Sequence, residues 1–273
     1  MVDELLGWLD RPAEVVFDRR GDRWDTGRRS WQAVGRSASH GLVIQDDALV
    51  CRDLVAGVEK ALQHVPDGSP LCLYCGRVRP NRELVQGLVR AAGPGTSWLS
   101  MGQIHWGVGI VLPTAAIDDM IAWCDKHPEI DNYDLRISAW VANRGLTVYY
   151  PWPSLVDHRE SPSLVPGRTP AGRRAHRFLG VDRSALDQDW SGRVVSVPRL
   201  DPGLPPDQIA PGSWVVVGTA ANVSVVTGTG RARQMHFRGA ILTGVPVVEV
   251  QHLMSVGLIE PAPNPQPAPM EAM

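Results

Sequence analysis

Lysine is almost missing from this chain. Lys60 and Lys126 are the only two, and every other permanent cation is arginine. Arginine presents a rigid planar fork suited to bidentate contact with phosphate or carboxylate, although a GC-rich coding sequence produces the same bias with no function attached. The net charge is only -2, so no overall field draws the protein to nucleic acid or to a membrane surface. Long apolar runs are missing too, which argues against a membrane partner. The acidic start Met1-Val2-Asp3-Glu4 carries no leader-like segment, and a cytoplasmic location is expected. Cysteine is sparse: Cys51, Cys72, Cys75 and Cys124 are expected to be free thiols in a reducing compartment. Cys72 and Cys75 form a C-x-x-C inside a β-like run. Residues three apart on a strand face opposite sides, and no second pair follows, so the two are poorly placed to share a metal and read as core thiols. No G-x-x-x-x-G-K-[ST], G-x-S-x-G, H-E-x-x-H or G-x-G-x-x-G occurs, which removes the P-loop, serine-hydrolase, zincin and dinucleotide fingerprints.

What is present is a hydrophobic content of 44% over 273 residues, enough for one large domain or a domain with an appendage. Glu14–Phe17 is β-like. Arg19 to Arg29 reads as a polar loop, followed by a helix over about 30–39. Leu42-Val43-Ile44-Gln45-Asp46-Asp47 reads as a buried strand of an α/β sheet that stops at two carboxylates. Leu54, Val58, Ala61, Leu62 and Val65 recur at helical spacing, and Leu71 to Cys75 reads as a strand. Trp106 to Pro113 reads as another, with glycines where a ligand can come close. Helices are expected with Ile117, Met120, Ile121 and Cys124 on one face, and with Ile137, Trp140 and Val141 inward. Leu146 to Tyr150 is again β-rich. Strands alternating with helices indicate a layered α/β domain over 1–185. Over 190–260, short valine runs (Val194-Val195, Trp214 to Val217, Val223 to Val226, Val247 to Val250) indicate a small β-rich appendage closing with a short helix near Gln251 to Val256. Residues 261–273 are proline-rich and expected to be disordered.

Four clusters bear chemistry. Asp46-Asp47 lies beyond the carboxyl end of a strand, where ligands of α/β sheets bind. Two carboxylates there can hold a divalent cation, which in turn holds a diphosphate; the plain alternative is a strand end followed by a cap. Asp131 and Asp134 at a helix start either cap the helix or supply a general base. His158, in Asp157-His158, is either a surface-loop histidine or a third metal ligand. Arg19, Arg20, Arg23, Arg28, Arg29, Arg168, Arg173, Arg174 and Arg177 are solvated charge or a phosphate clamp.

In order, the chain presents an Arg/Asp-rich early loop, an apolar strand ending in D-D, a Trp/Gly-rich strand ending in Leu-Pro, a Y-D at a helix start, and Tyr150-Pro151-Trp152-Pro153-Ser154-Leu155-Val156-Asp157-His158-Arg159 with Arg173-Arg174-Ala175 after it. Over about residues 12–180 this order resembles the phage-encoded glycosyltransferases of actinobacterial viruses, which are similar to the GT-A class of nucleotide-sugar transferases. The resemblance implies a GT-A-like, Rossmann-type sheet and a nucleotide-sugar donor such as a UDP-sugar. It implies Mn²⁺ or Mg²⁺ at Asp47 and His158, and Asp134 as base. Arg19, Asp22, Arg23 and Asp46 fall in the donor-binding segments, and Trp106 and Gly107 fall where sugar or acceptor lies. The acceptor it implies is a phage structural protein or hydroxymethylated DNA. The chain departs from the class in having adjacent aspartates preceded by Gln45, one negative charge fewer, so arginines neutralising the diphosphate are an alternative to the cation. A nucleotide-binding hydrolase or nucleotidyltransferase, and a non-catalytic virion protein, are the competing readings. The transferase reading requires Asp46, Asp47, Asp134 and His158 to meet in one cleft.

Overall fold

The computed structural model describes residues 2–77, 82–159, 173–196, 210–227 and 230–262. The chain divides into two units, Met1–Val197 and Pro198–Met273. The first is a mixed α/β domain. Its helices are α1 (Val2–Trp8), α2 (Arg23–Ala33), α3 (Leu54–Leu62), α4 (Arg82–Ala91), α5 (Thr114–Asp125) and α6 (Tyr133–Asn143). Its strands are β1 (His40–Ile44), β2 (Ala48–Val50), β3 (Leu71–Cys72), β4 (Thr96–Met101), β5 (Gly109–Pro113), β6 (Val148–Pro151), β7 (Val156–His158) and β8 (Arg193–Ser196). The main sheet runs β1-β5-β3-β6-β4-β8. The β3–β6 and β4–β8 pairs are parallel, and the rest are antiparallel. A separate ribbon pairs β2 with β7.

The helical periodicities convert directly into packing. Ile117, Met120, Ile121 and Cys124 of α5 are buried, an i, i+3, i+4, i+7 stripe. Ile137, Trp140 and Val141 of α6 are buried likewise. Helix α5 packs on β1, β5, α2 and α6. All four cysteines are free and buried; burial pushes Cys51, Cys72 and Cys124 up to about 12, so these thiols are inert packing groups.

Several expectations are corrected. Glu14–Phe17 forms no strand, because it has no neighbour to pair with. The expected loop Arg19–Arg29 is helical from Arg23 onward: Asp22 caps α2 by accepting from the amides of Trp24 (2.8 Å) and Asp25 (3.0 Å), and the helix ends at Ala33. The apolar run Leu42-Val43-Ile44 is half-buried, not buried, because β1 is an edge strand with a neighbour on one side only. Val194-Val195, read with the appendage, lies in β8 beside β4.

The second unit holds β9 (Trp214–Val216) between β12 (Ile241–Leu242) and β13 (Ile259–Pro261), a hairpin of β10 (Ala220–Thr227) and β11 (Gly230–Phe237), and helix α7 (Val247–Ser255). Its core is formed by Val216, Val223, Leu242, Val245, Val250, Leu253 and Ile259. The valine run 247–250, expected as a strand, is the first turn of α7. Pro246 precedes it with φ -59, and Val250 and Leu253, three apart, enter the core together. Packing there overrides valine's β preference. Arg168 and the tail beyond residue 262 lie outside the described residues.

Candidate functional site

The Asp46-Asp47 pair sits in a tight turn between β1 and β2. Gln45 N–H donates to Val108 O at 2.9 Å, holding the end of β1 to the main sheet, and Ala48 N–H donates back to Gln45 O at 3.1 Å, closing the turn. From there the chain enters the ribbon, whose register sets Ala48 opposite His158 and Leu49 opposite Asp157. Arg159 N–H donates to Asp47 O at 3.0 Å. This pairing brings His158 against Asp47: Nε2 lies 3.0 Å from Oδ2, and Arg173 Nη2 is 3.9 Å from the same oxygen.

His158 is 3% exposed. Its Nδ1 lies 2.7 Å from Arg159 O. A carbonyl only accepts, so Nδ1 carries a hydrogen and Nε2 is the ring atom turned toward Asp47. Although Nε2 is within ion-pair distance of Asp47, its direction does not make a hydrogen bond, and Nε2 and Asp47 Oδ1 are both buried and unsatisfied. Burial is the largest influence on Asp47 and pushes its carboxyl up. Contact with His158, followed by the charges of His158 and Arg173, outweighs it and holds the group below the usual carboxylate range.

Asp157 does different work from its neighbour. It is 1% exposed and accepts from Arg174 Nε (2.6 Å), the Ala175 amide (2.6 Å) and the His158 amide (2.8 Å). It therefore ties the 173–175 segment to β7. Tyr74 Oη adds a second tie by donating to Arg173 O at 2.5 Å. These two anchors aim the Arg173 side chain at Asp47.

Gly107 lies where three groups meet. A Cβ there would stand 3.1 Å from Asp134 Cβ, 3.2 Å from Gln45 Nε2 and 3.2 Å from the Tyr133 ring. The carboxylate in α6 thus approaches the end of β1 across a residue with no side chain. Tyr133 is fixed by Trp31 Nε1, which donates to its hydroxyl at 2.9 Å. Neither acidic residue of this segment is the N-cap of α6: Asn132 holds that position, Asp131 is 93% exposed, and Asp134 accepts from the Leu135 amide at 2.9 Å. Trp106 packs edge-on against His105, Tyr74 and Tyr150. His105 is 2% exposed, neither ring nitrogen has a partner, and burial lowers its pKa to about 4.

Many of these groups border one cavity of about 1230 Å³. Asp46, Asp47, Asp134, His158, Trp106, Gly107 and Arg23 line it, and so do Gln45, Tyr74, His105 and Arg173. Comparison with protein-family models, with curated proteins and with solved structures finds no match. The cavity itself is therefore the guide to function.

Two expected donor-binding residues are not among its lining residues. Asp22 is committed to capping α2, and Arg19 lines a smaller pocket of about 280 Å³ with Phe17 and Arg29. Arg23 borders the large cavity but is held by Asn132 Oδ1 at 2.5 Å. Among the described residues no group of three or more His, Cys, Asp or Glu side chains is placed to hold a metal. Asp47 and His158 alone could contribute ligands, and their unsatisfied Oδ1 and Nε2 are the right donor atoms. The Nδ1–H to carbonyl contact is the usual support behind a histidine that ligates through Nε2. Two protein ligands suffice for a cation that takes its remaining oxygens from phosphate and water.

Proposed function

We propose that this protein is a glycosyltransferase of GT-A-like construction, moving a sugar from a nucleotide-sugar donor to an acceptor hydroxyl. The observation that carries the reading is that Asp47, His158 and Arg173, which meet one another, border a single large cavity with Asp134. Glycosyl transfer needs a leaving-group site and a base, held apart by the reacting sugar. Arg173 supplies a fixed guanidinium toward the departing diphosphate. A cation held by Asp47 and His158 would add Lewis-acid stabilisation of the same charge. Asp134 takes the proton of the acceptor hydroxyl as its oxygen bonds to the anomeric carbon and the bond to the diphosphate breaks. Trp106, which borders the cavity, offers apolar surface to the sugar. Gly107 keeps the path between Asp134 and the anomeric carbon open.

The test is thermal stabilisation by UDP-, GDP-, CMP- and dTDP-sugars, each with Mn²⁺, Mg²⁺ or EDTA, in wild type and in Asp47→Ala. One donor should raise the melting temperature of wild type, and Asp47→Ala should lose the rise. Loss in EDTA assigns the leaving group to a cation, and persistence assigns it to Arg173. No stabilisation by any donor under any condition would overturn the reading.

A further inference from the structure

The large cavity continues past the catalytic candidates along the outer edge of β1. Leu42, Val43 and Ile44 all border it. Successive residues of a strand point to opposite faces, so a cavity touched by three in a row wraps the strand's edge, and Val111 of β5, opposite Leu42, shows that it also reaches over one face of the sheet. The register fixes what that edge offers. Gln45 N–H donates to Val108 O and Thr114 N–H donates to Ser39 O, both at 2.9 Å, so Gly41 and Val43 fall on the hydrogen-bonded pairs with β5. The main-chain groups of the alternate residues, Leu42 and Ile44, point the other way. Among the described residues nothing bonds to them.

An open edge inside a cavity is unusual, because exposed edges are normally covered or blunted. Part of the lining is an apolar wall, with Leu5, Leu9, Val15 and Val16 bordering the same space. The edge also leads to the chemistry. Ile44 precedes Gln45, whose amide comes within 3.2 Å of the position a Gly107 Cβ would take, beside Asp134.

We infer that the acceptor is an extended polypeptide segment that adds to β1 as an outer strand and presents a serine or threonine hydroxyl to Asp134. Its amides and carbonyls satisfy those of Leu42 and Ile44. Its side chains alternate between the apolar wall and solvent, the pattern of strand addition at a sheet edge. The inference rests on the transferase reading for the fate of the hydroxyl, but peptide binding stands or falls by itself.

The experiment is an array of nonapeptides with one central Ser or Thr and degenerate flanks, probed with the full chain in the absence of donor. Peptides that bind are then measured by fluorescence anisotropy. At least one peptide should bind. N-methylation at alternate backbone positions should weaken it by about tenfold or more, and N-methylation at the intervening positions should not. Leu42→Pro should weaken binding by a similar factor; that amide makes no bond to β5 and proline is tolerated where an edge amide points outward, so any loss of stability comes from the half-buried leucine side chain. If Leu42→Pro does not fold, the methylation pattern on wild type decides alone. No binding anywhere on the array, binding indifferent to methylation, or a peptide displaced by decyl maltoside, marking a site for acyl chains, would overturn the inference. Because no donor is present, failure of the donor screen and failure of peptide binding are separate results.

Discussion

Removing the carboxylate of Asp157 tests how the 173–175 segment is held. Asp157 accepts three hydrogen bonds while 1% exposed. In Asp157→Ala the Arg174 guanidinium is left free, but its side chain is 39% exposed and water can replace much of its partner. The Ala175 and His158 amides sit in buried residues and lose their acceptor outright. At about 1–3 kcal/mol for each unsatisfied buried group, the two amides together cost about 3 kcal/mol. Urea unfolding followed by tryptophan fluorescence reports on the first unit, because all of the tryptophans except Trp214 belong to it. With an m-value of about 2 kcal/mol/M, the midpoint should fall by about 1.5 M. Asp157→Asn keeps one acceptor oxygen but sets an NH₂ against the second donor, and should fall between wild type and alanine. A loss below about 1 kcal/mol in Asp157→Ala would refute the idea that this carboxylate is the clasp between β7 and the Arg173 segment. It would also weaken the case that Arg173 is aimed.

Gly27→Ala would place a Cβ 2.1 Å from the Tyr133 ring; the ring must move, at a cost of about 1–3 kcal/mol, and a drop in melting temperature should appear together with weaker donor binding, since Tyr133 borders Asp134. Acid should destabilise the first unit through His105. Its pKa is about 4 folded against about 6.5 unfolded, so the unfolded chain binds the extra proton as pH falls. Stability present above about pH 6.5 is then lost progressively down to about pH 4, by roughly 3 kcal/mol in full. His105→Gln should remove that slope, and an unchanged pH profile in the variant would show that the ring is not buried uncharged.

Where structure rides on local pattern, it was legible in the sequence. The stripe Ile117, Met120, Ile121, Cys124 specified a helix because its period matches only one backbone. The apolar run ending at Asp46-Asp47 specified a strand and its end. Asp46, Asp47, Asp134 and His158 were expected in one cleft and border one cavity. What escaped was non-local. Nothing in Glu14–Phe17 reveals that no strand lies beside it, and nothing in Leu42–Ile44 reveals an edge position. Asp22 resembled its neighbours in an Arg/Asp-rich stretch, and only the position of the first helical turn separates a cap from a ligand-binding residue. His105 and Tyr74 carried no motif. They matter because the β5 lead-in and the Arg173 segment fold onto the same wall, a tertiary fact. Arg173 belonged to a visible arginine group, but its distinction from Arg174 comes from Tyr74 and Asp157.

The β2–β7 ribbon also has a consequence for how the protein is born. Asp47 and its turn leave the ribosome early, yet the strand that brings His158 opposite Ala48, and then Arg173, is made on the order of ten seconds later at ordinary elongation rates. Until then the two aspartates have no counter-charge from this part of the chain. A stalled nascent chain that ends before β7 can hold the helices of the first half but has no assembled leaving-group pocket. The activity proposed for this protein would therefore switch on in a single late step of synthesis, after most of the sheet already exists.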